Sequence, residues 1–285
     1  MDWDRLITIE QMEEATNELL ETGKKVGADS WQQRVKNQTP HCGFGEAGTC
    51  CRICSMGPCR ITPKAPRGIC GCDVHGIVGR NYLRFTAGGA ATHSDHGRQI
   101  CHTLYQAKEG GAYQVKDPEK LKRIAHEWDI ETEGKDIYDL AHEVAEVGLL
   151  EYGKPFGVQR FLKRAPEHTQ ELWHKAEIEP RAIDREVSQS LHMTHMGCSS
   201  LPEALIKQSL RAGLSVGWGG SMMGTEFSDI LFGTPKPVDT TANIGVMEKD
   251  MVNIIVHGHD PSLSEMIVMY SQDPEMVALA KSVGA

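Results

Sequence analysis

Residues 42–59 read CGFGEAGTCCRICSMGPC, and residues 68–72 read GICGC. Seven of the nine cysteines in the chain lie within these two stretches. Frequent glycine and proline in and around them favour loops over helices and strands. Thiols this close together are typical of metal ligands in a protein whose cysteines stay reduced. The segment therefore predicts a cofactor site that is built on loops.

The cysteine spacing indicates a cubane iron–sulfur cluster. Cys51, Cys54 and Cys59 lie in one tight turn, and Cys70 could supply the fourth thiolate that a [4Fe-4S] cluster needs. Zinc is the alternative metal, but its four-cysteine sites usually show two CxxC pairs, and here only one pair has that spacing. Cys72 is an additional thiol without an assigned role.

Cys42 and Cys50 remain after this assignment. Two thiolates cannot complete the ligation of a cubane, whereas a two-fold axis would bring two such pairs together. This predicts a homodimer with a cluster that bridges the two subunits. The alternative is that neither cysteine binds a cluster.

Composition limits the class of protein. The chain has 285 residues, enough for about two domains. Lys and Arg number 30 against 39 for Asp and Glu, so the net charge of −9 argues against a nucleic acid partner. No apolar run approaches the ~20 residues of a transmembrane segment, and residues 1–30 lack a secretory apolar region. We expect a cytoplasmic protein.

Residues 1–236 are predicted to form a mainly α-helical domain that carries the cluster loops. The capping box at Thr8 opens the first helix, and helical spacing returns from about Asp73 to Lys108 with a break at Gly88–Gly89. Residues 150–185 are charged and weakly periodic, so only short helices are expected there. Three further helix starts are indicated, at Asp117-Pro118, at Asp136 and at Ser200.

Residues 237–285 are predicted to begin a Rossmann-like α/β domain, after a boundary at residues 233–237. An apolar run at 251–256 predicts a strand, and a helix opens at Ser262. His257 and His259 follow the strand, where ligands bind in parallel sheets. One strand cannot complete a sheet, so we expect the chain to be part of a longer polypeptide or one of two complementary chains.

Three histidines are predicted to line one side of a helix. His93, His96 and His102 are separated by three and six residues, and Gln99 occupies the position between the last two. Imidazoles titrate near neutral pH, so such a row can pass protons. The alternative is a solvated polar helix face. Cys101 and Cys198 are isolated and are predicted to be buried structural thiols.

Four sequence stretches together resemble the nickel-containing anaerobic carbon monoxide dehydrogenases. They are CGFGEAGTCCRICSMGPCRI (42–61), RGICG (67–71), GWGGSMMGTEFSDILFGTPKP (217–237) and HGHDP (257–261). The similarity covers the chain from about His41 onward. The enzymes that work with acetyl-CoA synthase are the more similar ones.

The resemblance implies a function and a set of ligands. It implies oxidation of CO with water to CO2, with electrons passed through iron–sulfur clusters to a ferredoxin-like acceptor. It implies an intrasubunit [4Fe-4S] cluster on Cys51, Cys54, Cys59 and Cys70, and a subunit-bridging [4Fe-4S] or [2Fe-2S] cluster on Cys42 and Cys50. It further implies that His259 binds a nickel–iron–sulfur active-site cluster, whose cysteine ligands lie further along the family's chain. The histidine row would be the proton relay.

Three other functions are compatible with parts of this pattern. The chain could be a non-enzymatic iron–sulfur electron-transfer or assembly subunit. It could be a hybrid-cluster protein with hydroxylamine reductase activity, although the spacing of Cys50, Cys51 and Cys54 and the extra Cys42–Cys50 pair argue against this. A zinc-stabilised structural module is the third.

Overall fold

The computed structural model describes residues 14–236 and 261–282, and these residues are mainly helical. The chain divides into two compact units, Met1–Val78 and Gly79–Ala285, which are described separately below. The domain boundary predicted at residues 236 and 237 coincides with the edge of the described residues and stays a prediction.

The first unit holds the cysteine-rich loops between short helices and a small hairpin. Its elements are α1 (Glu14–Lys25), α2 (Trp31–Asn37), α3 (Gly43–Glu46), β1 (Cys50–Cys51) and β2 (Cys59–Arg60). Strands β1 and β2 are antiparallel, and Cys51 lies opposite Cys59. The prediction of loops is confirmed for most of the segment. This hairpin, whose two strands have two residues each, was not predicted.

The second unit is a set of packed helices. Its elements are α4 (Val74–Tyr105, whose first turn belongs to the first unit), α5 (Pro118–Glu127), α6 (Ile137–Gly153), a 3-10 helix (Arg160–Arg164), α7 (Glu167–Ala176), α8 (Ile183–Thr194), α9 (Pro202–Ser215), a π-helix (Val216–Ser221), α10 (Met222–Phe232), α11 (Pro261–Gln272) and α12 (Pro274–Ser282). Between residues 150 and 185 the helices are short, as predicted.

Two of the predicted helix starts are confirmed with their caps. The Asp117 side chain accepts a hydrogen bond from the backbone N–H of Lys120 at 2.9 Å, and Pro118 is the first residue of α5. The Asp136 side chain accepts one from the N–H of Tyr138 at 2.8 Å. These bonds satisfy amide groups that have no partner inside the helix.

The helix predicted to open at Ser200 is present as α9 but begins differently. Its N-cap is Leu201, which makes no side-chain capping bond, and Pro202 stands at the first helical position. Proline suits this position because its fixed φ is helical and because the N–H that it lacks would have no partner inside the helix. The chain therefore uses proline here in place of the predicted serine cap.

The break predicted at Gly88–Gly89 is wrong, because α4 continues through both glycines. Each glycine costs a helix about 1 kcal/mol relative to alanine. Burial of the flanking residues offsets this cost, since Leu83, Ala87 and Ala90 are at most 2% exposed. Tertiary packing thus overrides the local glycine signal.

The core of the second unit lies between α4, α5, α6 and α10. Leu121 and Ile124 on the inner face of α5 are fully buried, as the spacing of that helix predicts. The Trp128 ring packs on Phe161 and Phe227, with ring centroids 4.9 and 5.8 Å apart. Gly148 on α6 admits the Phe227 ring, because a Cβ there would lie 2.9 Å from it.

The C-terminal helix that was predicted after residue 261 is confirmed as α11. The strand at 251–256, His257 and His259 lie outside the described residues, so the Rossmann-like domain stays a prediction. Across residues 14–236 and 261–282, no helix combines the length and the hydrophobicity that a bilayer crossing requires.

Candidate functional site

The β1–β2 hairpin brings two of the predicted cubane ligands face to face. Cys51 and Cys59 are partners across the ladder. The connecting loop turns at Gly57, whose N–H donates to the Cys54 carbonyl at 3.1 Å. A Cβ at Gly57 would lie 2.9 Å from the Cys51 carbonyl oxygen, so only glycine fits. The half-buried Cys54 is thereby held in the turn between the two strands.

The loop that carries Cys70 folds back onto Cys59. The backbone N–H of Ile69 donates to Cys59 Sγ at 3.5 Å, and a Cβ at Gly68 would lie at the same distance from that sulfur. An N–H directed at a sulfur stabilises thiolate character, as cluster ligands require. Cys70 lies at the exposed tip of this loop. The four predicted cubane ligands therefore belong to one hairpin and one adjoining loop.

Cys72 belongs to a small apolar cluster beneath these ligands. It is 2% exposed and packs with Cys51, which is 8% exposed, and with Ile77. Ile53, Ile61 and Cys59 pack against the same cluster. The sequence assigned no role to Cys72, and the structure shows that this residue packs under the hairpin.

The described cysteines do not form a site for a single metal ion. Over residues 14–236 and 261–282, no three His, Cys, Asp or Glu side chains are arranged to hold one ion. All-sulfur donors on loops with nearby backbone N–H groups fit the chemistry of an iron–sulfur cluster.

Cys42, one of the two predicted bridging ligands, is exposed at the N-terminus of α3. Hydrogen bonds from the backbone N–H groups of Gly45 and then Phe44 lower the pKa of the Cys42 thiol. The Thr49 N–H donates to the Phe44 carbonyl at 3.0 Å, which ties α3 to the strand that carries Cys50. The predicted pair is thus held by one local framework, with Cys42 biased toward the thiolate.

The histidine row lies on α4, which is anchored in the second unit by neighbouring side chains. Arg98 forms an ion pair with Asp184 at 2.7 Å and lies over the Tyr152 ring, 4.9 Å from its centroid. Ser94 Oγ donates to Asp184 at 3.0 Å. His93 and His102 are both exposed. Because they are nine residues apart on one continuous α-helix with about 3.6 residues per turn, they lie on opposite sides of α4.

The members of the row differ in their partners. His93 Nδ1 lies 3.2 Å from Ser221 Oγ. His96 is half-buried, and within the described residues its Nε2 is buried without a hydrogen-bond partner. The Gln99 side-chain amide donates a hydrogen bond to the Asp95 carboxylate at 3.0 Å. Gln99 therefore does not take the place of a histidine in the row. The Ser221 contact had no signal in the sequence, because 128 positions separate the two residues.

The two isolated cysteines have different environments. Cys101 is fully buried, and burial raises the pKa of its thiol to about 12. The prediction of a buried thiol is therefore confirmed for Cys101. It is wrong for Cys198, which is exposed, because Cys198 follows the last turn of α8 in the segment before α9.

The family model described as Prismane/CO dehydrogenase matches residues 49–284. The chain belongs to this family. A member with similar sequence is carbon monoxide dehydrogenase 1 of Methanosarcina mazei, 46% identical over 95% of this chain and 44% of that protein.

Solved structures from the family are also similar. One is an as-isolated, nickel-free carbon monoxide dehydrogenase from Thermococcus sp. AM4, with a TM-score of 0.87 and 45% identity over 96% of this chain and 44% of that one. Another is described as NiZn[Fe4S4] and NiNi[Fe4S4] clusters in α subunits of acetyl-CoA synthase/carbon monoxide dehydrogenase, with a TM-score of 0.86 and 38% identity over 100% of this chain and 42% of that one. The chain spans less than half the length of these family members.

Proposed function

We propose that this chain forms part of an anaerobic, nickel-dependent carbon monoxide dehydrogenase, which oxidises CO with water to CO2, two protons and two electrons. The observation that carries the proposal is the Cys51–Cys59 hairpin with the Cys70 loop folded onto it, in a chain of the Prismane/CO dehydrogenase family. The similarity to carbon monoxide dehydrogenases extends over nearly the whole chain.

Cys51, Cys54, Cys59 and Cys70 are proposed to hold an intrasubunit [4Fe-4S] cluster. When bound, such a cluster accepts and donates single electrons. The chain's own contribution is to exclude water with the apolar cluster around Cys51 and to direct the Ile69 N–H at Cys59 Sγ. Both features tune a reduction potential.

Cys42 and Cys50 are proposed to hold a [4Fe-4S] or [2Fe-2S] cluster that is shared with a second copy of the chain. The support is the lowered pKa of Cys42 and its exposure, because a shared ligand must reach the partner subunit. The protein would then be a homodimer.

His93, His96 and His102 are proposed to carry protons away from the reaction. Their common helix supports this. So does His96 Nε2, which is buried and has no hydrogen-bond partner among the described residues, since that nitrogen needs a water or another proton carrier beside it. Gln99 interrupts the row, so water must connect His96 with His102.

His259 is proposed as one ligand of a nickel–iron–sulfur active-site cluster, in a domain of residues 237–285 that begins a Rossmann-like fold. The helical domain would then comprise residues 1–236. A ferredoxin-like protein is the proposed electron acceptor. Acetyl-CoA synthase is a proposed partner, because it is named in the description of a similar structure. The proposed location is the cytoplasm.

The test is iron, nickel, zinc and labile sulfide per chain after strictly anaerobic purification. One cubane per chain and one shared cluster predict roughly six irons per chain, or about five if the shared cluster has two irons. Iron at that level without nickel supports an electron-transfer part whose active site needs residues from outside this chain. Stoichiometric nickel would show that this chain holds the active-site metal by itself. Zinc without sulfide would overturn the proposal.

A further inference from the structure

The π-helix Val216–Ser221 brings a serine hydroxyl to the first histidine of the row. Ser221 Oγ lies 3.2 Å from His93 Nδ1, and both residues belong to the second unit. The motif GWGGS in this π-helix has no part in the proposed clusters. Single-turn π segments occur frequently at functional sites.

Close backbone contact makes this placement possible. A Cβ at Gly220 would lie 3.0 Å from the backbone C and O atoms of His93. A Cβ at Gly97 would lie 2.8 Å from the Gly220 carbonyl oxygen. The π-helix and α4 therefore touch through glycines, which fixes the position of Ser221 relative to the His93 ring.

We propose that Ser221 is a positioning residue for His93, with Ser221 Oγ accepting a hydrogen bond from His93 Nδ1–H. This inference rests on the proposed proton relay. The partner of one ring nitrogen decides which nitrogen carries the hydrogen. With Nδ1–H held by the serine, neutral His93 has its lone pair on Nε2.

The contact persists while a proton passes. Nε2 takes up one proton, the ring becomes an imidazolium with Nδ1–H still bonded to Ser221, and Nε2 then releases the same proton to water. No hydrogen bond must break and the ring need not turn. Without the serine acceptor, the neutral ring is free to adopt the Nε2–H form, which has no lone pair on Nε2.

The test compares Ser221→Ala and Ser221→Thr in the complete, metal-loaded enzyme. The matched control is Thr92→Val, because the Thr92 hydroxyl lies beside His93 in the chain but donates to the Gly88 carbonyl at 2.9 Å. We expect Ser221→Ala to slow CO oxidation in weakly buffered medium by about three- to tenfold, the effect of one neutral hydrogen bond. Added imidazole should restore the rate, whereas Ser221→Thr and Thr92→Val should retain it.

A second readout is independent of turnover. Hydrogen exchange at the ring C2 position, followed by mass spectrometry, reports each histidine separately. We expect exchange at His93 to accelerate about twofold or more in Ser221→Ala, because one neutral hydrogen bond no longer restrains the ring. Exchange at His96 and His102 should not change. Equal metal content and melting temperature would exclude misfolding.

The outcomes separate this inference from the proposed function. Unchanged exchange at His93 in Ser221→Ala would overturn the contact. Faster exchange with an unchanged rate of CO oxidation, or a slow rate that imidazole does not restore, would overturn the role of Ser221 in proton transfer while leaving the enzyme activity in place. An unsubstituted enzyme without CO oxidation would overturn the proposed function itself and with it the relay.

Discussion

The cysteine-rich segment and the helical second unit are stabilised in different ways. Among the residues that the structure describes, the apolar cluster under the β1–β2 hairpin has three buried members, whereas the core of the second unit has twenty. Ordering a chain segment costs roughly 1–2 kcal/mol per residue, so the smaller apolar cluster offsets less of this cost than the larger core does. The comparison teaches that the cysteine-rich loops have less apolar burial of their own than the helices, so the proposed cluster is expected to contribute to their order.

Removal of iron is expected to have the largest effect and to divide the two regions. Anaerobic chelation of the full protein should abolish amide hydrogen-exchange protection in residues 42–72, because cluster binding contributes their folding free energy. Residues 118–153 should stay protected. Equal loss of protection in both regions would show that the helical core also depends on the cluster.

Replacing one ligand should have a large but more local effect. Cys59→Ser removes the sulfur that accepts the Ile69 N–H, and we expect the loss of roughly four irons per chain. Iron and sulfide analysis measures this loss. The matched control is Cys198→Ser, an exposed thiol of the second unit, which should retain all iron. Full iron in Cys59→Ser would remove Cys59 from the proposed ligand set.

A substitution in the core of the second unit tests whether the helices are stabilised by their own packing. Ile124→Ala on α5 should lower the free energy of unfolding of the helical unit by about 2–5 kcal/mol, because a fully buried side chain leaves a cavity. Urea unfolding measures the change. Leu150→Ala, at a side chain that is 67% exposed, should change it by less than about 0.5 kcal/mol. Comparable losses in both variants would contradict the position of the core.

Thiol reactivity should show the smallest difference between the two regions. In cluster-free protein, where residues 42–72 are expected to lose their order, Cys42 should be alkylated like an ordinary exposed thiol, whose pKa is about 8.5. Cys101, with a pKa of about 12 and full burial, should stay unmodified until the chain is denatured. Peptide mass spectrometry after iodoacetamide treatment compares the two. Early modification of Cys101 would contradict its burial.

Local sequence patterns predicted several of the helices correctly, among them α5, α6 and α11. Asp117 and Asp136 cap their helices because the interaction spans only two or three residues. The same kind of reasoning failed at Gly88–Gly89, where packing of the flanking residues outweighs the local cost of glycine. It failed at Cys198 for a related reason, since exposure depends on which neighbours cover a residue.

The sequence by itself determined which chemical groups are present and how they are spaced. Seven clustered thiols, a row of histidines and a set of helix starts are properties of neighbouring residues, so a linear reading detects them. Only the tertiary structure decided that Cys51 faces Cys59, that the Ile69 N–H reaches Cys59 Sγ, and that Ser221 meets His93. These contacts depend on how separate segments pack, and packing is set by the whole core instead of by any one stretch of chain.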